Sequence, residues 1–132
     1  MIFVDTSFWV AVRNLRESNH QQAVALLEST QDQGPVTTNH IRGETWTFLR
    51  RRVGHHAGVA FLDAMQRSPR VRVEMVSPKQ EDDALRWLRR HDEREFSFVD
   101  ATSFMFMQAL RIRGALAFDG DFSAAGFVEL RI

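Results

Sequence analysis

The stretch from Phe96 to Phe122 constrains the fold more than any other part of the chain. Ser97-Phe98-Val99-Asp100 has the Ser-x-x-acid form of a helix N-terminus, in which hydroxyl and carboxylate each accept a backbone N–H that the first turn leaves unpaired. Ala101 to Arg113 is then apolar almost all round, the pattern of a helix enclosed by other elements rather than laid on a surface. Gly114 reads as its stop. Ala115 to Phe118 reads as a short inner strand that ends in Asp119-Gly120-Asp121. A helix opening at one acid and a strand closing at two bring acidic points together across one buried helix-to-strand unit.

The rest of the chain repeats the strand-then-helix alternation. Ile2-Phe3-Val4 is a buried strand whose carboxyl end carries Asp5-Thr6-Ser7, followed by a short helix over Phe8 to Val12. Ser18-Asn19-His20-Gln21 offers a capping box for a helix bearing Ala23, Leu26, Leu27 and Thr30. Val36-Thr37-Thr38 is strand-like. A helix from Asn39 to Val53 follows, with Ile41, Thr45, Phe48 and Leu49 as its buried stripe and Glu44 on the margin of that stripe. Arg50-Arg51-Arg52 suits the negative end of that helix's dipole, and Gly54 stops it. Ala57 to Met65 is a further helix, and Val71 to Met75 alternates as an edge strand does. Ser77-Pro78-Lys79-Gln80 starts a helix with Ala84, Leu85 and Leu88 behind it, and the chain closes with a turn at Phe122 to Gly126 and a last strand, Phe127 to Leu130.

This alternation predicts an α/β fold with a mostly parallel central sheet sandwiched by helices, and no composition shift marks a boundary, so residues 1–132 are expected to form one domain. Seventeen basic residues balance 17 acidic ones, which removes the bulk basic footprint of many nucleic-acid binders. Sixteen of the 17 basic residues are arginine, the side chain best shaped for phosphate. No cysteine is present, excluding disulfides and thiolate metal sites. Met1 leads straight into an apolar strand without a basic leader, and no apolar run approaches the roughly 18 residues of a membrane span, so a cytoplasmic location with no membrane partner is expected.

Ligands of open α/β sheets sit outside the carboxyl ends of the strands, where Asp5, Asp100, Asp119 and Asp121 all fall, with Glu44 projecting from a helix margin. Five acids in one crevice would repel one another unless a cation neutralised them. An all-oxygen donor set favours Mg²⁺ or Mn²⁺ over Zn²⁺, and the natural substrate of such a centre is a phosphodiester.

Four segments carry a family resemblance: Ile2-Phe3-Val4-Asp5-Thr6-Ser7, Asn39-His40-Ile41-Arg42-Gly43-Glu44, Phe98-Val99-Asp100-Ala101-Thr102-Ser103-Phe104 and Ala117-Phe118-Asp119-Gly120-Asp121-Phe122. In order and spacing they resemble the acidic motifs of the PIN domain and, more narrowly, the VapC ribonuclease toxins of bacterial toxin-antitoxin pairs. The resemblance implies a Mg²⁺- or Mn²⁺-dependent endoribonuclease, a homodimer, silenced by a VapB-type antitoxin and meeting DNA only through it. By position, Asp5, Asp100 and Asp119 would be metal ligands, Glu44 would orient or deprotonate the water, and Asp121 would complete the cluster. Thr6 and Ser103 would hydrogen-bond to these groups. Members of the family cut tRNA or the sarcin-ricin loop of ribosomal RNA, and Phe98 to Gly126 resembles the subgroup acting on the latter. Ala117 departs from the family, which often has a hydroxyl residue there.

Each acid alone has a plainer reading. Asp100 serves as the capping partner of Ser97, Asp5 as a turn acid and Glu44 as an edge ion pair. Asp119-Gly120-Asp121 fails as an EF-hand, since Ala124 and Leu130 stand where Gly and Glu are required. His55, His56 and His91 lack partners at metal-ligand spacing, and Arg50 to Arg52 and Arg86 to Arg94 read first as solvated helix ends, with phosphate contact as the sharper alternative. A rival to the enzyme is a weakly catalytic PIN fold acting as antitoxin partner in a DNA-binding autorepressor complex, but no acid of the set is missing. A DNA or flap nuclease is a second rival, because nothing in the sequence reads a 2′-hydroxyl.

Overall fold

The computed structural model describes residues 1–132. Five short strands form one sheet: β1 (Ile2–Val4), β2 (Pro35–Thr38), β3 (Arg72–Glu74), β4 (Gly114–Leu116) and β5 (Val128–Glu129). All pairings are parallel and the order is β3-β2-β1-β4-β5. The helices are α1 (Thr6–Arg13), α2 (His20–Ser29), α3 (Asn39–Arg52), α4 (His55–Arg67), α5 (Pro78–Arg90), α6 (Phe98–Leu110) and α7 (Asp121–Ala124). The chain builds outward from β1 to β3, then returns across the sheet through α5 and α6 to place β4 on the other side of β1. Strand order therefore reverses between β1 and β4, which opens a crevice at their carboxyl ends.

The central strands are apolar because both their faces are covered. Phe3 meets Phe106 of α6 and Phe122 of α7, each at 5.8 Å between ring centroids. Phe104, fully buried, is the hub of an aromatic cluster joining α5, α6, α7 and the start of β5. Its ring lies 5.2 Å from Trp87, 5.7 Å from Phe96, 5.1 Å from Phe122 and 5.5 Å from Phe127. Edge-to-face packing, and for Phe127 stacked packing, adds to the area buried and fixes the segments that flank the crevice.

Several local expectations change. The α6 helix ends at Leu110, where Arg111 takes the left-handed conformation (φ 57°) and caps it; Gly114 begins β4 instead of stopping the helix. In α2 the cap is Asn19, without a side-chain bond, so the Ser18 box does not form. Trp87 is buried in α5 whereas Leu85 is exposed, because α5 turns its Ala84–Trp87 face towards α6. Phe48 lies outside the buried stripe of α3, at 36% exposure.

Truncating Phe104 to Ala removes the hub of the cluster and is expected to cost ~3–5 kcal/mol of stability. Set against a typical total of ~5–15 kcal/mol, the variant should show a lower denaturant midpoint in urea unfolding, whereas Val128→Ala on the exposed edge should change it by less than about 0.5 kcal/mol.

Candidate active site

A cleft of about 510 Å³ opens where the strand order reverses. Seven acidic residues line it, Asp5, Glu17, Glu44, Glu95, Asp100, Asp119 and Asp121, and no basic residue does. The fold thus brings together all five acids that the sequence singled out.

Each acid is held by local chemistry. Asp5 follows β1 directly and caps α1, its Oδ2 accepting from the Ser7 amide at 3.1 Å and the Ser7 hydroxyl at 2.7 Å. The same Ser7 Oγ accepts from the Phe118 amide at 3.0 Å, so one hydroxyl ties the ends of β1 and β4 together. Thr6 donates its hydroxyl to Glu44 Oε1, fixing a carboxylate that α3 brings in from the far side. Asp100 sits in the first turn of α6 in a reciprocal capping box: its Oδ2 accepts from the Ser97 amide and its own amide donates to Ser97 Oγ, both at 2.9 Å. Capping and site chemistry are therefore both served by Asp100, so the two readings of this residue do not compete.

The Asp119-Gly120-Asp121 loop is clasped from outside. Arg94 Nε donates to Asp121 Oδ1 at 2.6 Å and its Nη2 to the Asp119 carbonyl at 2.9 Å. Gly120 has φ 82°, and a Cβ there would sit 3.2 Å from Arg94 Nη2, so glycine serves both the turn and the close approach. On the other side Glu129 accepts from the Gly120 and Ser123 amides at 3.3 and 3.0 Å. Arg94, read from sequence as part of a solvated helix end, instead lies between α5 and α6 and clasps this loop, and Ser7 and Glu129 were not singled out from sequence. Only the Asp5-x-Ser7 spacing, which suits an Asx-type turn, carried a local signal.

One oxygen from each of Asp100, Asp119 and Asp121 lies within 4.8 Å of the others. Asp5 lines the same cleft and feels the Asp119 charge, so the geometry adds Asp121 beside the Asp5, Asp100 and Asp119 that the resemblance assigns as ligands. Ser103, assigned a hydrogen-bonding role by resemblance, is fully buried and its hydroxyl has no partner.

Electrostatics records the crowding. Burial, then the neighbouring Asp119, push the Asp5 carboxyl well above the usual carboxylate range, against the lowering effect of its Ser7 bonds. Burial raises Asp100 to about 7, with Asp121 and Asp119 adding to it. Asp119 is open to solvent on one side, yet the protein behind it raises its carboxyl to about 6, with Asp121 and Glu129 contributing. An all-carboxylate donor set this close, and this reluctant to ionise, fits a divalent cation.

The family model described as PIN domain matches residues 2–128. The 23S rRNA-specific endonuclease VapC20 of Mycobacterium tuberculosis, from strains CDC 1551 and H37Rv alike, is 56% identical over 133 residues, covering 99% of this chain and 98% of that protein. The crystal structure of Mycobacterium tuberculosis VapC20, described as a sarcin-ricin loop cleaving toxin, superposes with a TM-score of 0.93 at 53% identity, covering both chains completely.

The raised carboxyls set a pH dependence. Because the folded values of Asp100 and Asp119, about 7 and 6, exceed the ordinary 3.8, the stability these groups contribute is full below about pH 4 and is lost as pH rises through 6 and 7. In chelator, the melting temperature should fall between about pH 5 and pH 8, and excess Mg²⁺ should raise it more at pH 8 than at pH 5. Asp100→Asn keeps an oxygen for the Ser97 amide and should flatten both trends; equal Mg²⁺ shifts at both pH values would contradict this electrostatic picture.

Proposed function

The chain belongs to the PIN domain family and, within it, to the VapC toxins, and on that premise we propose that it is the toxin of a type II toxin-antitoxin system, a Mg²⁺- or Mn²⁺-dependent endoribonuclease that cuts the sarcin-ricin loop of 23S ribosomal RNA. The observation that carries the chemistry is the convergence of Asp5, Glu44, Asp100, Asp119 and Asp121 in one cleft free of basic side chains. Near-complete coverage at 56% identity carries the target. Residues 1–132 act as one nuclease domain in the cytoplasm, as a homodimer, and a VapB-type antitoxin restrains it and provides its link to DNA. No helix is long and apolar enough to cross a membrane.

Asp5, Asp100 and Asp119 would hold the cation, with Asp121, close beside Asp100 and Asp119, completing the acidic cluster. When bound, such an ion supplies positive charge to a phosphodiester oxygen and acidifies water beside it. The protein's own groups do the rest. Glu44, with Oε1 engaged by Thr6, keeps its second oxygen to orient the attacking water and take its proton. The capping box aims the Asp100 carboxylate, and Ser7 fixes Asp5 against the β4 end. Arg94 holds the 119–121 loop so that its two carboxylates do not splay under mutual repulsion. The products expected of the family are a 5′-phosphate and a 3′-hydroxyl.

Incubating the antitoxin-free protein with bacterial large-subunit ribosomal RNA and mapping new 5′ ends tests this reading. One dominant, Mg²⁺- or Mn²⁺-dependent cut in the sarcin-ricin loop is expected, falling by at least about 10² in Asp100→Asn and in Glu44→Gln. Cleavage that persists in purified Asp100→Asn, or metal-dependent ends confined to other RNAs, would overturn the enzyme or the target respectively.

A further inference from the structure

Glu44, Phe48 and Arg52 stand four residues apart along α3 and so share one face of it. Glu44 is engaged in the cleft by Thr6, and Phe48 lines the same cleft one turn further on. One turn beyond, the Arg52 guanidinium carbon lies 4.5 Å from the Phe48 ring centroid. An acid, an aromatic ring and a cation thus follow one another outward over ~12 Å of helix.

This pair differs from the other arginine–ring pair, which Phe118 and Arg131 form at the same cleft. The other aromatic residue of the cleft, Phe118, is closed: it stacks on Phe8 at 5.5 Å and 12°, and Arg131 covers it at 4.8 Å. Arg131 is itself fixed, donating to the Ala117 carbonyl at 2.7 Å and pairing with Glu129 at 3.2 Å. Arg67, Arg72, Arg86 and Arg94 likewise pair with carboxylates. Arg52 has no such partner; its contact is the Phe48 ring, and Phe48 keeps more than a third of its surface in solvent.

A cleft walled by seven acids repels the phosphates of its substrate everywhere except at its cation, so a free cation at the cleft edge has a defined use. A guanidinium pairs with phosphate oxygens through two parallel N–H donors, and an exposed ring accepts the face of any unpaired base. We propose that Phe48 and Arg52 form a subsite for the unpaired nucleotide flanking the scissile phosphodiester, Phe48 stacking on its base and Arg52 pairing with its phosphate. This rests on the endoribonuclease reading and adds to it a reason for preferring loop over duplex RNA, because a paired base offers no free face.

The test uses a labelled RNA stem-loop of sarcin-ricin sequence, bound in Ca²⁺ to follow affinity and cut in Mg²⁺ to follow KM and kcat. Phe48→Ala should weaken binding and raise KM about tenfold with kcat nearly unchanged, and Phe48→Trp should restore both. Arg52→Gln should weaken binding and lower the slope of log K against log salt by about 0.7–0.9, the loss of one phosphate contact, whereas Arg52→Lys should keep the slope. Both positions are exposed, and unchanged melting temperatures would confirm intact folds. Wild-type affinity and salt slope in Phe48→Ala and Arg52→Gln would overturn the subsite. So would wild-type RNA binding combined with lost capture of a VapB-type antitoxin, which would assign this face to protein. A wild-type chain that binds the stem-loop but never cuts it would sink the endoribonuclease reading instead, with the subsite still judged by the variants' affinities.

Discussion

Carboxylates held closer together than their charges favour are the constraint around which this structure is arranged. Asp5 and Asp100 are 2% and 8% exposed, and each is an acid that the fold both buries and aims at its neighbours. Such a group survives only where other bonds hold it, because burial and like charge both oppose its ionised form. Each acid accordingly has a restraint of its own. Ser7 holds Asp5, Thr6 holds Glu44, the Ser97 box holds Asp100, and Arg94 with Glu129 holds the 119–121 loop. Two of these restraints are hydroxyls in the first turn of α1 and a third is the backbone amide of the residue that caps α6, so helix initiation and site assembly are one event.

The sheet explains why these points meet. Chain reversal between β1 and β4 leaves no helix crossing over that end of the sheet, and the Asp5 amide donates to the Leu116 carbonyl at 3.0 Å to close the two strands side by side. Behind them the aromatic cluster around Phe104 carries α6 and α7 as one body, so Asp100 at the head of α6 and Asp121 at the head of α7 keep a fixed separation. Packing far from the cleft therefore sets the spacing of charges within it, in line with the low tolerance of dense cores for movement.

Much of this was legible in the sequence because it depends on local pattern. The Ser97–Asp100 box, the Ile2-Phe3-Val4 strand and the strand after the apolar helix each follow from residues within a few positions of one another, and the ordering of the acids carried the family resemblance. What escaped depends on distance. Arg94 reaches Asp121 across 27 residues, and Ser7 meets Phe118 across 111. Periodicity alone assigned Phe48 to the core, yet the neighbouring turn of α3 faces the cleft, where no element covers it. Arg111 in a left-handed cap, where Gly114 was the better candidate on propensity, shows tertiary packing overriding a local preference of about 1 kcal/mol.

The cleft is built to take a divalent cation between carboxylates that the fold has crowded. Anomalous diffraction from crystals soaked in Mn²⁺ tests it most directly, since the ion is then located without reference to activity. A peak is expected at ~2.0–2.2 Å from carboxylate oxygens of two or more of Asp5, Asp100, Asp119 and Asp121, absent from Asp100→Asn crystals treated alike. A well-ordered cleft with no peak, or an ion bound only by surface acids elsewhere, would contradict it.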